Sequence, residues 1–283
     1  MEAPGVRAAV GGALALLRPG NGAVAAAAVA AGAVAAGGPD AVLGPVAPQV
    51  GAACAAAFAF VGAGNALNDY LDREIDRTAH PQRPIPSGRV PARAALAASA
   101  ALFGASLALG LWISLPALLL VASSAALMVG YELALKSRGL PGNLAIGYLS
   151  GITFYFGGLV LGEPWAVVPL FALALLSTVG RELAKDIEDM GADTGRRTFP
   201  QARGASAAAR ASTAFTVGAV ALSPWPYLAG TLGVAYLPAI AAADATFMYA
   251  AWRVPREAGR SQRLSKAGMA LATLAFAAGG WFA

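Results

Sequence analysis

The chain has 283 residues, 58% of them hydrophobic and only 12% charged, and its mean hydropathy is +0.62. Soluble domains carry about 25% charged residues, so the composition excludes an ordinary soluble enzyme and marks an integral membrane protein. The lone cysteine, Cys54, and the lone histidine, His80, exclude disulfides, a cysteine-based zinc site and a histidine-rich metal centre. A net charge of +5 would suggest nucleic acid in a soluble protein. Here the placement of the charges matters more than their sum, and no nucleic-acid partner is expected.

Crossing a hydrocarbon core of about 30 Å takes about 20 mostly apolar residues. Cutting the chain where charges, Pro or Gly interrupt such runs gives nine segments: 21–37, 46–67, 94–112, 116–135, 143–161, 165–184, 207–222, 227–249 and 264–281. The cut between the third and fourth rests only on the Ser114-Leu115-Pro116 run, and the seventh is short. A signal peptide is not expected, because Arg18, Pro19 and Gly20 break the first apolar stretch. All 20 Lys and Arg residues fall in the N-terminal tail, in the loops after segments two, four, six and eight, or at the segment ends that adjoin those loops, whereas the other loops hold only Asp40 and Glu163 as charges. Because basic residues gather on the cytoplasmic side, the spacing predicts an all-α cell-membrane protein of nine spans, with a cytoplasmic N-terminus and an external C-terminus.

Segment two runs out through Asn65, Asn68, Asp69, Asp72 and Asp76 before a Pro-rich stretch at 80–88. On a helix, positions 65, 69, 72 and 76 share one face, with Asn68 at its flank. Segment six ends with Glu182, Asp186, Asp189 and Asp193, which repeat the same spacing. Both stripes leave even-numbered segments toward the same side, so the single domain over 1–283 reads as two related halves offset by four helices. Carboxylates one turn apart repel by a few tenths of a kcal/mol in water and by more where the dielectric is lower. Two offsets are open: Arg73, Arg77, Arg181 and Lys185 as counter-ions of solvated helix ends, or magnesium, which prefers carboxylate, amide and phosphate oxygens. Two stripes of matching pitch favour magnesium ions that bridge facing acidic patches to a diphosphate.

The run Asn68-Asp69-Tyr70-Leu71-Asp72-Arg73-Glu74-Ile75-Asp76, followed by Arg83-Pro84-Ile85-Pro86-Ser87-Gly88, resembles the first aspartate motif of the UbiA superfamily of intramembrane prenyltransferases. Residues 185–193 resemble its second. Within that superfamily, 131–143 and 151–158 are most similar to the archaeal digeranylgeranylglyceryl phosphate synthase group. The resemblance implies nine transmembrane helices around a central cavity, with both motifs at cytoplasmic helix ends. It also implies Mg2+-dependent transfer of a polyprenyl group from an allylic diphosphate, geranylgeranyl diphosphate, to a lipophilic acceptor, geranylgeranylglyceryl phosphate, in ether-lipid synthesis. An aromatic acceptor of the quinone type and a terpene cyclase, which uses a double bond of its own prenyl chain, are the alternatives.

On this resemblance the leading metal ligands are Asp72, Asp76, Asp189 and Asp193, followed by Asn68, Asp69 and Asp186. Lys136, Arg83, Lys185 and Arg197 are candidate cations for the diphosphate, with Asn68 beside them, or else topology determinants at lipid headgroups. Tyr131 either orients the diphosphate or anchors at the interface. Asp69 and Asp186 are candidates to accept the proton of an acceptor hydroxyl, and Lys136 or Arg138 to hold an acceptor phosphate. Asn65 is either part of the site or an interhelical polar contact. Tyr148, Phe154, Tyr155 and Phe156 either line a prenyl channel or pack, and Asp244 is an acid well inside an apolar run, hydrated or faced by Arg253. A transporter would set polar groups near the midplane on broken helices, whereas the ionisable groups here sit at segment ends. A lipid-scaffolding role leaves both carboxylate stripes unexplained.

Overall fold

The computed structural model describes residues 6–191 and 197–283, and side chains from residue 10 onward. Every regular element among the described residues is helical: α1 (Val6–Leu17), α2 (Pro19–Gly37), α3 (Asp40–Leu43), α4 (Ala47–Leu71), α5 (Arg73–Ala79), α6 (Ala92–Ile113), α7 (Leu115–Gly130) with a π-helical turn (Tyr131–Leu135), α8 (Leu140–Val160), α9 (Val168–Asp189), α10 (Phe199–Arg203), α11 (Ala205–Leu222), α12 (Trp225–Leu228), α13 (Tyr236–Arg253) and α14 (Ala258–Trp281). Five are long and apolar enough to cross a membrane: α2, α4, α6, α7 with its π turn, and α8. Charged and polar residues within the remaining long helices dilute their apolar runs; α9 alone carries six charged residues from Arg181 to Asp189.

Each predicted segment contains or overlaps one long helix, with informative departures. The cut at Ser114 is real: this residue is extended (φ −174°, ψ 164°) and its side chain accepts from the Ala117 N–H, capping α7. The fourth segment ends in a π turn rather than a regular one. The eighth begins nine residues late, at Tyr236, because 225–228 form a separate short helix and Gly230 turns the chain at φ +72°. The tail expected before the first segment is the helix α1.

The chain forms two compact units, one comprising residues up to 26 and 52–132, the other 27–51 and 133–283. In the first, small residues and hydroxyls bring helices together, as is common in membranes. Ser99 Oγ donates to the Ala63 carbonyl (2.9 Å) and Ser106 Oγ to that of Ala56 (3.0 Å), pinning α6 to α4. Leu16, Ala66 and Ala95 form a small core joined by Leu17, Ile85 and Val90. This core seats the end of α1 and the Pro-rich stretch against the motif-bearing end of α4.

In the second unit α9 packs on α8, α11 and α14. Gly147 makes the first of these contacts possible, since a Cβ there would lie 2.6 Å from Val179 Cγ2 and 2.9 Å from the Leu175 carbonyl. Ser212 Oγ donates to the Gly180 carbonyl at 2.6 Å, joining α11 to α9. A larger core around Phe154, Leu170, Tyr236, Phe247 and Phe276 fills the unit. The effect is to hold the polar end of α9 on three sides.

Candidate active site

At the end of α4 the backbone ladder continues past the helix boundary: the Asp72 N–H donates to the Asn68 carbonyl and that of Asp76 to the Asp72 carbonyl, both at 2.9 Å. Asp72 alone separates the two helices, and it stays in the right-handed region (φ −82°, ψ 0°). The stripe expected from the sequence therefore survives across α4 and α5, but its members have different partners.

Asn65 takes the interhelical contact: its Nδ2 donates to the Leu17 carbonyl (3.0 Å) and its Oδ1 accepts from Arg18 Nη1 (3.2 Å). Asp69 is fully buried. Its Oδ1 pairs with Arg18 and lies 3.6 Å from Arg83 Nη1, while its buried Oδ2 has no hydrogen-bond partner among the described residues. Asp76, also buried, accepts from Arg83 Nη1 at 2.7 Å. Arg83 comes from the Pro-rich stretch, whose turn is set by the Arg83 N–H donating to the His80 carbonyl (2.9 Å).

Asn68 and Asp72 stand apart from these arginines. The Asn68 amide nitrogen lies 3.3 Å from Asp72 Oδ2 and 3.1 Å from each carboxylate oxygen of Glu132. Glu132 follows the half-buried Tyr131 in the π turn after α7. Sequence reasoning did not single it out; its adjacency to Tyr131, at the same helix exit as Lys136, was the only signal. Arg73 and Arg77, the candidate counter-ions, pair instead with Glu74 (3.7 and 2.7 Å), and Arg73 also covers the Tyr70 ring.

In the second unit Asp186 Oδ2 accepts from the amide of buried Asn143 at 3.0 Å. Asp189 is half-buried one turn on, and Lys185 is exposed. Buried Glu182 pairs with Arg181. Exposed Glu188 is met by Gln262 (3.3 Å) and Arg263 (3.7 Å) of α14. Lys136 is half-buried; Arg138 and Arg197 are exposed; Asp193 lies outside the described residues. Phe154 is core, edge-on to Phe276 with ring centres 5.4 Å apart, and Tyr148 meets Phe171 in the same way. Phe156 is buried and Tyr155 half-buried. Asp244 accepts from Ser223 Oγ at 2.6 Å, whereas Arg253 pairs with Glu257 at 2.7 Å.

Among the described residues no three His, Cys, Asp or Glu side chains converge as a metal cage. Magnesium is usually held by one or two carboxylates together with phosphate oxygens rather than by such a cage. Asn68, Asp72 and Glu132 in one unit, and Asp186 and Asp189 in the other, are oxygen donors of the kind it requires.

A chain whose described elements are all helical, with membrane-length apolar helices and two long helices that end in carboxylate-rich polar clusters, has the design of an intramembrane prenyltransferase. The UbiA prenyltransferase family matches residues 23–279, and the chain belongs to that family. It is similar to the digeranylgeranylglyceryl phosphate synthase of Halobacterium salinarum, 42% identical over 270 residues that cover 95% of this chain and 96% of the relative. The enzyme of that name from Methanothermobacter thermautotrophicus is 42% identical over 229 residues, 78% of this chain and 82% of its own. A solved structure described as giving insights into the biosynthesis of digeranylgeranylglyceryl phosphate synthase in membranes matches with a TM-score of 0.78 at 33% identity, covering 96% of this chain and 99% of the other. The protein is thus a membrane-embedded prenyltransferase.

Proposed function

We propose that the protein transfers a geranylgeranyl group from geranylgeranyl diphosphate to the free hydroxyl of geranylgeranylglyceryl phosphate, forming an ether and releasing pyrophosphate. What carries this reading is the 42% identity, over 95% of the chain, to a synthase named for the corresponding product. The bond from the prenyl C1 to the diphosphate oxygen breaks with its electron pair leaving on that oxygen. The acceptor oxygen bonds to C1 and gives up its proton.

Magnesium, when bound, supplies the positive charge that stabilises the departing diphosphate. Asp72 is assigned to magnesium in the first unit, with Asn68 and Glu132 adjoining, and Asp189 in the second, with Asp186 one turn before it and Asp193 the corresponding residue beyond the described part. Asp76, whose Oδ2 accepts from Arg83, has its other carboxylate oxygen to offer. Lys136, Arg83, Lys185 and Arg197 are assigned to the diphosphate oxygens, and Tyr131 to orienting the diphosphate. For the acceptor proton we assign Asp186 rather than Asp69. The Asn143 amide fixes the orientation of Asp186 while leaving it half-exposed, whereas Asp69 is buried against two arginines. The departing pyrophosphate is the alternative proton acceptor.

The placement of all 20 Lys and Arg residues supports nine crossings with the N-terminus and the site cytoplasmic and the C-terminus external. Purified protein given geranylgeranyl diphosphate, magnesium and equal amounts of geranylgeranylglyceryl phosphate, 4-hydroxybenzoate and a dihydroxynaphthoate should consume only the glycerol lipid. A prenylated aromatic as the main product refutes the acceptor while leaving the family intact.

A further inference from the structure

We infer that Arg18 is a positioning residue for the first acidic motif: it ties the end of α4 to the junction of α1 and α2 and so sets how α4 presents Asn68 and Asp72. Counted by sequence, Arg18 is one of the basic residues that orient the chain in the membrane. Its geometry is different. Among the described residues it is the only non-glycine residue with a positive φ, +48°. That conformation is disfavoured for any residue with a Cβ, and a residue preceding proline, here Pro19, is normally extended. A backbone of this kind persists when the surrounding contacts dictate it.

Those contacts are with the motif. The Leu14 carbonyl accepts from the Arg18 N–H (3.0 Å), closing α1, and the Arg18 carbonyl accepts from the Asn21 N–H (2.9 Å) as α2 begins. The guanidinium spans one turn of α4, with Nη1 on Asn65 Oδ1 at 3.2 Å and Nη2 on Asp69 Oδ1. Asn65 returns its amide to the Leu17 carbonyl at 3.0 Å, so the junction and the helix hold each other by side chain and backbone. Leu16 and Leu17 of α1 pack with Ala66 of α4 and with Ile85 and Val90, which flank the loop supplying Arg83. A buried carboxylate needs a cation in contact. Without Arg18, Asp69 keeps, among the described residues, only Arg83 at 3.6 Å, and Arg83 also serves Asp76. Asn68 immediately precedes Asp69, and Asp72 follows it by less than one turn, so a rotation of this helix end moves both.

The inference rests on the proposed assignment of Asn68 and Asp72 to the magnesium diphosphate. Its test is equilibrium binding of Mn2+ in the presence of inorganic pyrophosphate, on full-length protein in detergent, together with transfer kinetics and thermal unfolding. R18Q should bind Mn2+ with pyrophosphate about tenfold more weakly, and turn over about tenfold more slowly, the scale seen when groups supporting metal ligands are removed. At saturating magnesium its KM for geranylgeranyl diphosphate should stay within about twofold. R18K, which retains the charge but not the planar fork, should fold and lie between R18Q and the parent protein. In a double-mutant cycle R18Q should add little to D69N, because the two act as one unit.

A KM for the prenyl diphosphate raised tenfold with unchanged kcat would make Arg18 a substrate contact and overturn the inference. So would Mn2+ binding unchanged in both R18Q and R18K, or losses that simply add in the cycle. If the unsubstituted protein binds no Mn2+ with pyrophosphate, the metal assignment itself fails, an outcome distinct from equal binding by parent and variant.

Discussion

Asn68 presents its side-chain amide to both carboxylate oxygens of Glu132, 3.1 Å from each, across a chain separation of 64 residues. The same nitrogen lies 3.3 Å from Asp72, so one neutral amide brings two carboxylates together. A cation offsets like charges that share a site, and the magnesium assignment proposed above would place Glu132 in the environment of that ion. E132Q should raise the magnesium concentration for half-maximal rate and lower the maximal rate by about 10- to 100-fold, the range for groups that support metal ligands. Initial rates across a magnesium titration check this, and a titration matching that of the parent protein would remove Glu132 from the site.

Stripping divalent metal with EDTA should abolish transfer, and magnesium or manganese should restore it. Asp72→Ala and Asp189→Ala should each reduce kcat by at least about 100-fold, since metal and fixed charge supply several kcal/mol at the transition state. Both variants should unfold at temperatures close to that of the parent, because both side chains are partly exposed at helix ends. Full turnover in excess chelator would refute the magnesium requirement.

Lys136→Ala should raise the apparent KM for the prenyl diphosphate or for the phosphate-bearing acceptor by about tenfold, corresponding to one charge-assisted contact of about 1.4 kcal/mol. Steady-state kinetics in both substrates distinguish the two. Unchanged KM values would leave Lys136 as a topology determinant.

Asp244 separates a structural acid from a catalytic one. Ser223 Oγ donates to it at 2.6 Å, and the Ser223 carbonyl accepts from the buried Tyr236 hydroxyl at 2.7 Å, so the trio joins the start of α13 to the end of α11. Asp244→Ala should destabilise the protein by about 1.5–3 kcal/mol, the range for a hydrogen bond to a charged group. Asp244→Asn should be milder, and both should retain kcat. Unfolding monitored in detergent, with activity on the same preparations, tests this; a large loss of kcat in a fully folded Asp244→Asn protein would contradict it.

Much of the helix layout was legible because it depends on local facts: apolar runs of membrane length, Ser114 and Pro116 at a helix start, and acidic residues repeating at helical spacing. The late start of α13 was not, because the residues from Trp225 onward are apolar enough to extend the helix, and only Pro226 and Gly230 hint at the turn. In the site, spacing placed Asp69, Asp72 and Asp76 on one stripe but carried no information about partners. Arg18 and Arg83 claim two of the three, and Glu132 adjoins the third through Asn68. Such pairings join residues far apart in the chain, and charge counting treats Arg18 like any other basic residue near a membrane.

In the proposed reaction the acceptor hydroxyl of a glycerol phosphate lipid attacks the prenyl carbon. Geranylgeranylglyceryl phosphate labelled with oxygen-18 at its free hydroxyl, incubated with the protein, magnesium and geranylgeranyl diphosphate, allows the label to be followed by mass spectrometry of the lipid and of the pyrophosphate. The expected result is a digeranylgeranyl ether that retains the label, with unlabelled pyrophosphate released in equal amount. A cyclic hydrocarbon released without consumption of the lipid, or label appearing in the pyrophosphate, would contradict it.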